Sequence, residues 1–218
     1  LSNSTVNSNT SDANGGAITV GNYALTPTFT TSQITNSTIS GNAADKNGGA
    51  IYTNGPIAID SSTISSNTAN NGAGIYTHTY LSYAGAVALQ NGTKIEKNRS
   101  TGVGAGVFLF NGTSLTMKDD ASIANNTVTV GEGGGIYQMA SQTTVAMQDA
   151  ASITGNRCGP NGNSGGVYNA NSAAGSFSVK DSAVIDGNHV GYGDVAANYY
   201  ILNTSANKNA YEITVAGA

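Results

Sequence analysis

Ile39-Ser40-Gly41-Asn42, followed closely by Gly48-Gly49-Ala50-Ile51, is a pair of motifs that recurs along the whole chain. The glycine motif reads Gly15-Gly16-Ala17-Ile18, Gly48-Gly49-Ala50-Ile51, Gly72-Ala73-Gly74-Ile75, Gly104-Ala105-Gly106-Val107, Gly133-Gly134-Gly135-Ile136 and Ser164-Gly165-Gly166-Val167, with a degenerate copy at Gly191-Tyr192-Gly193-Asp194-Val195. The last residues of these copies lie 33, 24, 32, 29, 31 and 28 positions apart. Self-similarity at such a period belongs to solenoids, propellers and arrays. Before each glycine motif stands an apolar residue three places ahead of an asparagine. These pairs are Val6 and Asn9, Ile39 and Asn42, Ile64 and Asn67, Ile95 and Asn98, Ile123 and Asn126, Ile153 and Asn156, and Ile185 and Asn188.

A third apolar segment completes each repeat: Ile57-Ala58-Ile59, Val87-Ala88-Leu89, Leu115-Thr116-Met117, Val145-Ala146-Met147 and Phe177-Ser178-Val179. Alternation over so few residues, bounded by Gly, Asn, Asp and Ser, is the pattern of strands. The β-branched residues that fill the apolar positions agree with it. The reading is an all-β, right-handed parallel β-helix, a solenoid of about seven coils with three short strands each, because equivalent strands pair from coil to coil and parallel connections default to the right hand. The whole of 1–218 reads as a single β-helix domain, a mature protein or a fragment of a longer surface protein.

Asn42, Asn67, Asn98, Asn126, Asn156 and Asn188 are expected to stack at one bend, as αL turn residues and as an amide ladder. A second turn carries Asn36, Asn91, Asp119, Asp149 and Asp181. Tyr52, Tyr76, Phe108, Tyr137 and Tyr168 follow the glycine strands and are expected to point outward, as a stabilising row of rings or as a platform for a ligand. The segment Tyr76 to Tyr83, with His78 and Tyr80, reads as an insert between coils and a candidate recognition loop. A comparable insert runs from Tyr23 to Thr31.

Composition narrows the function. Charged residues make up 9% of the chain, against roughly 25% in ordinary domains. The formal net charge is −4 with no run of Lys or Arg, which argues against nucleic acid as a partner. No stretch of 18 apolar residues predicts a membrane span. Cys158 is the only cysteine, so no internal disulfide can form. The sequence predicts no cofactor, no metal centre and no catalytic cluster. Lys94, Glu96, Lys97 and Arg99 read as a solvated surface group, and Asp119, Asp120, Asp149 and Asp181 as turn formers that could alternatively hold calcium. A polysaccharide lyase or glycoside hydrolase on a β-helix scaffold is the rival reading, and it needs clustered carboxylates or basic residues.

Glycine motifs of the Gly-Gly-Ala-Ile type paired with Ile-x-x-Asn, in Asn/Ser/Gly-rich repeats, resemble the polymorphic outer-membrane protein repeats of chlamydial surface adhesins. They also look like adhesin-like β-helix repeats of other bacteria and of archaea. The first position departs from the family's Phe-x-x-Asn, being Ile or Val throughout. The resemblance implies a non-enzymatic protein at the cell surface, adhesin-like or structural. Its partner would be a surface glycan or protein, or further copies of the chain stacked end to end.

Overall fold

The structure is a computed structural model that describes residues 1–21, 30–80, 83–139, 142–170, 175–191, 195–201 and 211–215. Among them there are strands and no helix, and the chain winds as a parallel β-solenoid of about six turns. The insert from Tyr23 to Thr31 and the degenerate glycine copy after Gly191 lie mostly outside the described residues.

Each turn contributes one strand to each of four sheets. The first sheet holds the Ile-x-x-Asn segments, from Thr5–Asn7 through Thr38–Ser40 and Ser122–Ala124 to Val184–Asp186. The third holds the strands after the glycines, from Ile18–Val20 to Tyr199–Ile201, and the fourth holds the alternating segments, from Ser32–Thr35 to Tyr211–Val215. The second sheet is a finding of the structure. It consists of two-residue strands just after the ladder asparagines, such as Ala43–Ala44, Thr68–Ala69 and Arg99–Ser100. Each turn thus has four strands where the sequence pattern predicts three.

The register places like on like. Ile39, Ile64, Ile95, Ile123 and Ile153 are consecutive partners in the first sheet, and all are fully buried. Ile51, Ile75, Val107, Ile136 and Val167 do the same in the third sheet, and Ile57, Val87, Leu115, Val145 and Phe177 in the fourth. These columns meet in one continuous core. Burying each such side chain contributes about 1.5–3 kcal/mol, which is what orders a chain so rich in Gly, Ser and Asn.

The corners are where the sequence chemistry shows. Asn36, Asn91, Asp119, Asp149 and Asp181 all adopt positive φ, between 48° and 58°, at the turn from the fourth sheet to the first. The ladder asparagines do not. At that bend the αL residue is the one before, namely Ser8, Gly41, Ser66, Lys97, Asn125, Gly155 and Gly187. This corrects the αL role expected of Asn42 and its equivalents: their side chains turn inward, so a neighbour takes the strained backbone position.

The glycine bend is governed by close approach. A Cβ on Gly49 would lie 2.4 Å from Thr68 O, and one on Gly106 would lie 2.4 Å from Gly135 O. The two positions before the apolar strand read Gly-Ala at 16–17 and 49–50, Ala-Gly at 73–74 and 105–106, and Gly-Gly at 134–135 and 165–166. The bend accommodates one methyl group at either position, and no copy carries two.

Candidate functional site: the ladder, the aromatic column and the hairpin

Asn42, Asn67, Asn98, Asn126, Asn156 and Asn188 stand in one buried column. The Oδ1 of each of the last five accepts both the backbone N–H and the Nδ2–H of the asparagine one turn before, at 2.9–3.0 Å. From Asn42 onward, every Nδ2 also donates to the carbonyl of the preceding turn's core residue, as from Asn126 to Ile95 O at 2.9 Å. Asn9 starts the ladder. Asn198 ends it, because Val195–Ala196 runs back antiparallel to His189–Val190 and brings the Asn198 Oδ1 to Asn188 at 3.1 Å.

A second, shorter ladder escapes the motif search. Asn47 Nδ2 donates to Asn14 Oδ1 at 3.1 Å, Asn71 Nδ2 donates to Asn47 Oδ1 at 3.0 Å, and Val103 N donates to Asn71 Oδ1 at 3.1 Å. The signal was an Asn directly before the glycine motif in three copies, at Asn14, Asn47 and Asn71.

Tyr52, Tyr76, Phe108, Tyr137 and Tyr168 form one continuous stack on the face of the third sheet away from the core. Their centroids are 5.3, 4.7, 5.3 and 5.2 Å apart and their planes lie within 14° of parallel. Outward does not mean exposed here, since Phe108 is 4% and Tyr168 7% accessible. Burial pushes the Tyr76 hydroxyl up to about 12, with Tyr52 adding to it, and raises that of Tyr137. Phe108 and Tyr168 are thus closed to solvent, while Tyr52, Tyr76 and Tyr137 are half-buried.

The insert after Tyr76 is a small antiparallel hairpin, Thr79–Tyr80 against Tyr83–Ala84. The Thr79 hydroxyl donates to Asn111 O on the next turn, which fixes the hairpin to the solenoid. The structure divides the four residues of the candidate recognition loop. Tyr76 sits in the ring column. His78 is packed on Tyr52 at 4.9 Å, its Nε2 buried without a hydrogen-bond partner and its Nδ1 3.1 Å from Thr79 O. Burial holds the His78 pKa below its ordinary value, and the contact with Thr79 O offsets this in part. Tyr80 is exposed, and Tyr76, His78 and Tyr83 are half-buried.

The charged residues are spread apart. Asp119, Asp149 and Asp181 do line up at one corner, but each carboxylate accepts the backbone N–H of the turn before, Asn91 to Asp119 at 3.2 Å, Asp119 to Asp149 at 3.0 Å and Asp149 to Asp181 at 3.2 Å. Among the described residues no group of three His, Cys, Asp or Glu side chains is placed to hold a metal ion. Lys97 and Glu96 make one loose ion pair at 3.9 Å, while Arg99 lies apart from them on the second sheet. The Cys158 thiol is buried, and burial lifts its pKa to about 11, so little thiolate exists at neutral pH.

No curated protein and no solved structure matches the chain. The family model for the Chlamydia polymorphic membrane protein (Chlamydia_PMP) repeat matches residues 36–54, the stretch from the αL turn at Asn36 through the ladder residue Asn42 to the third-sheet strand Ile51–Thr53. The chain therefore carries a repeat of the polymorphic outer-membrane protein type, set in a parallel β-solenoid.

Proposed function

We propose that this chain is a non-enzymatic, extracellular cell-surface β-helix, right-handed and of seven coils, that works as an adhesin-like rod. The observation that carries this reading is the match of residues 36–54 to the polymorphic membrane protein repeat, in a chain whose described turns stack in the same four sheets. A rod of stacked turns holds a recognition element away from a surface without needing a catalytic pocket. The exposed Tyr80 and half-buried Tyr83, on a hairpin anchored to the next turn, are the first residues assigned to contact with a surface glycan or protein. Aromatic side chains with a polar tip suit such contacts.

The test is attachment. Beads coated with the purified chain are applied to cultured cells and to an immobilised glycan panel, alongside a Tyr80→Ala/Tyr83→Ala variant. Specific attachment that the double variant weakens supports the reading. Absence of attachment to any cell or glycan removes the adhesive role, and negative-stain electron microscopy of the same sample then shows whether turns stack end to end into a filament.

A further inference from the structure

Inside the corner between the third and fourth sheets lies a set of polar side chains that the asparagine ladders do not use. The inward third-sheet position reads Thr53, Thr77, Leu109, Gln138 and Asn169 in consecutive turns, and all five are fully buried. Across the corner, Gly85, Thr113 and Thr143 stand one above another, directly before the register partners Ala86, Ser114 and Thr144. Thr113 and Thr143 are fully buried as well. Part of this corner is paired within the protein. Thr53 Oγ1 donates to Gly55 O at 2.9 Å, Gln138 Nε2 donates to Thr143 Oγ1 at 3.5 Å, and Asn169 Nδ2 donates to Tyr199 Oη at 3.3 Å. Three atoms are not paired: Thr77 Oγ1, Thr113 Oγ1 and Gln138 Oε1 are cut off from solvent without a hydrogen-bond partner.

These three belong to successive turns. A Cβ on Gly85 would collide with Thr77 Oγ1, so that hydroxyl fills the space beside which Thr113 stacks. On its other side Thr113 stacks against Thr143, the residue that Gln138 reaches. In the fifth turn Gln138 serves Thr143, whereas in the turn before it the same position is Leu109, which leaves the Thr113 hydroxyl without a polar neighbour on its own turn. Neighbouring strands stand about 4.8 Å apart, too far for a direct hydrogen bond and the span that one small bridging molecule covers. A carboxamide oxygen only accepts, so the occupant must donate to Gln138 Oε1, while a hydroxyl can do either. None of these side chains is charged, so nothing there would balance a buried ion. Water meets all of these conditions, and buried polar groups of this kind are ordinarily satisfied by it.

We propose that this corner is a built hydration site: an ordered water donates to Gln138 Oε1 and bonds to Thr113 Oγ1, and the file of polar groups continues to Thr77. The site lies where the chain leaves the third sheet after Thr77 for the hairpin and returns at Gly85, so it links successive turns behind the hairpin through hydrogen bonds where the columns on either side link them through apolar packing. It does not depend on the surface reading.

A crystal structure of the full chain, with urea unfolding of two variants, tests it. The expected result is a density peak within hydrogen-bond range of both Thr113 Oγ1 and Gln138 Oε1. Thr113→Val replaces the hydroxyl by a methyl group of the same shape. With water bound, that variant takes away one of the water's partners and the urea midpoint falls; with a bare hydroxyl, it removes a buried unpaired group and the midpoint holds or rises. Thr113→Ser keeps the hydroxyl and should keep the peak, whatever the lost methyl does to the midpoint. A corner without density, in a map that shows ordered waters at other buried sites, overturns the proposal. So does direct contact between Thr113 Oγ1 and Gln138 Oε1, or a Thr113→Val midpoint equal to or above that of the wild type.

Discussion

At Asn126 one amide closes four hydrogen bonds: Oδ1 accepts from Asn98 N and Nδ2, and Nδ2 donates to Ile95 O and Asn156 Oδ1. All of these groups are cut off from water, so a lost partner costs the full desolvation of each orphan. Asn126→Ala should therefore lower stability by about 1–3 kcal/mol for each group left unpaired, read from the urea midpoint. Asn126→Asp should do more damage at neutral pH, because a carboxylate cannot donate and would face the Ile95 carbonyl and Asn156 Oδ1. It should recover as acid protonates it, and a pH-independent loss would contradict that account. His78 gives a second residue-scale prediction. Its folded pKa lies below the ordinary 6.5 because its ring is buried. Its contribution to stability is present above 6.5 and is lost as pH falls through the lower, folded value. Wild type should thus lose more stability than His78→Gln between neutral pH and mild acid; parallel curves for the two would mean that His78 does not titrate on unfolding.

At the scale of elements, the glycine bend is the part with the least tolerance. Gly106 follows Ala105, and a methyl on Gly106 would meet Gly135 O at 2.4 Å and Ile123 Cγ2 at 2.7 Å. Gly106→Ala should cost about 1–3 kcal/mol by overpacking, and adding Ala105→Gly should recover most of it, since the pair then reads Gly-Ala as at 49–50. Thermal unfolding of the single and double variants measures this, and an unchanged midpoint in the single variant would refute the close-approach account. This bend was legible in the sequence because backbone crowding leaves so few residue types possible. The first, third and fourth sheets were legible through their period-two columns. The second sheet was not, because two residues such as Thr68 and Ala69 carry no alternation and become a strand only by pairing with Arg99 and Ser100. Register also explains why neighbours across turns stayed hidden. Arg99 reads locally as part of Lys94-Ile95-Glu96-Lys97, and only the stacking of turns sets it near Arg157. Burial of Phe108 and Tyr168 was equally hidden, since ring covers ring across turns and not along the chain.

For the whole molecule, among the described residues the strands of each turn pair with those of adjacent turns in four sheets, so stability is close to a sum of turn and interface terms. Ile123 and Ile39 occupy the same column and are both fully buried, so Ile→Ala at either should remove a similar local amount, about 2–5 kcal/mol. The consequences differ because of position. Ile39 lies one turn from Val6 at the start of its sheet, with a long stack on one side only, whereas Ile123 has four strands before it and two after it in the first sheet. Ile123→Ala should weaken the coupling between two stacks that are each large enough to persist, broadening urea unfolding or splitting it in two. Ile39→Ala should loosen a small piece and leave the main transition sharp. Circular dichroism with amide hydrogen exchange separates the outcomes: in Ile123→Ala, the ladder amides of Asn42 and Asn67 should exchange at a rate different from those of Asn156. Uniform exchange and one sharp transition in both variants would mean that the rod unfolds as a single cooperative block, and that coupling extends well beyond adjacent turns.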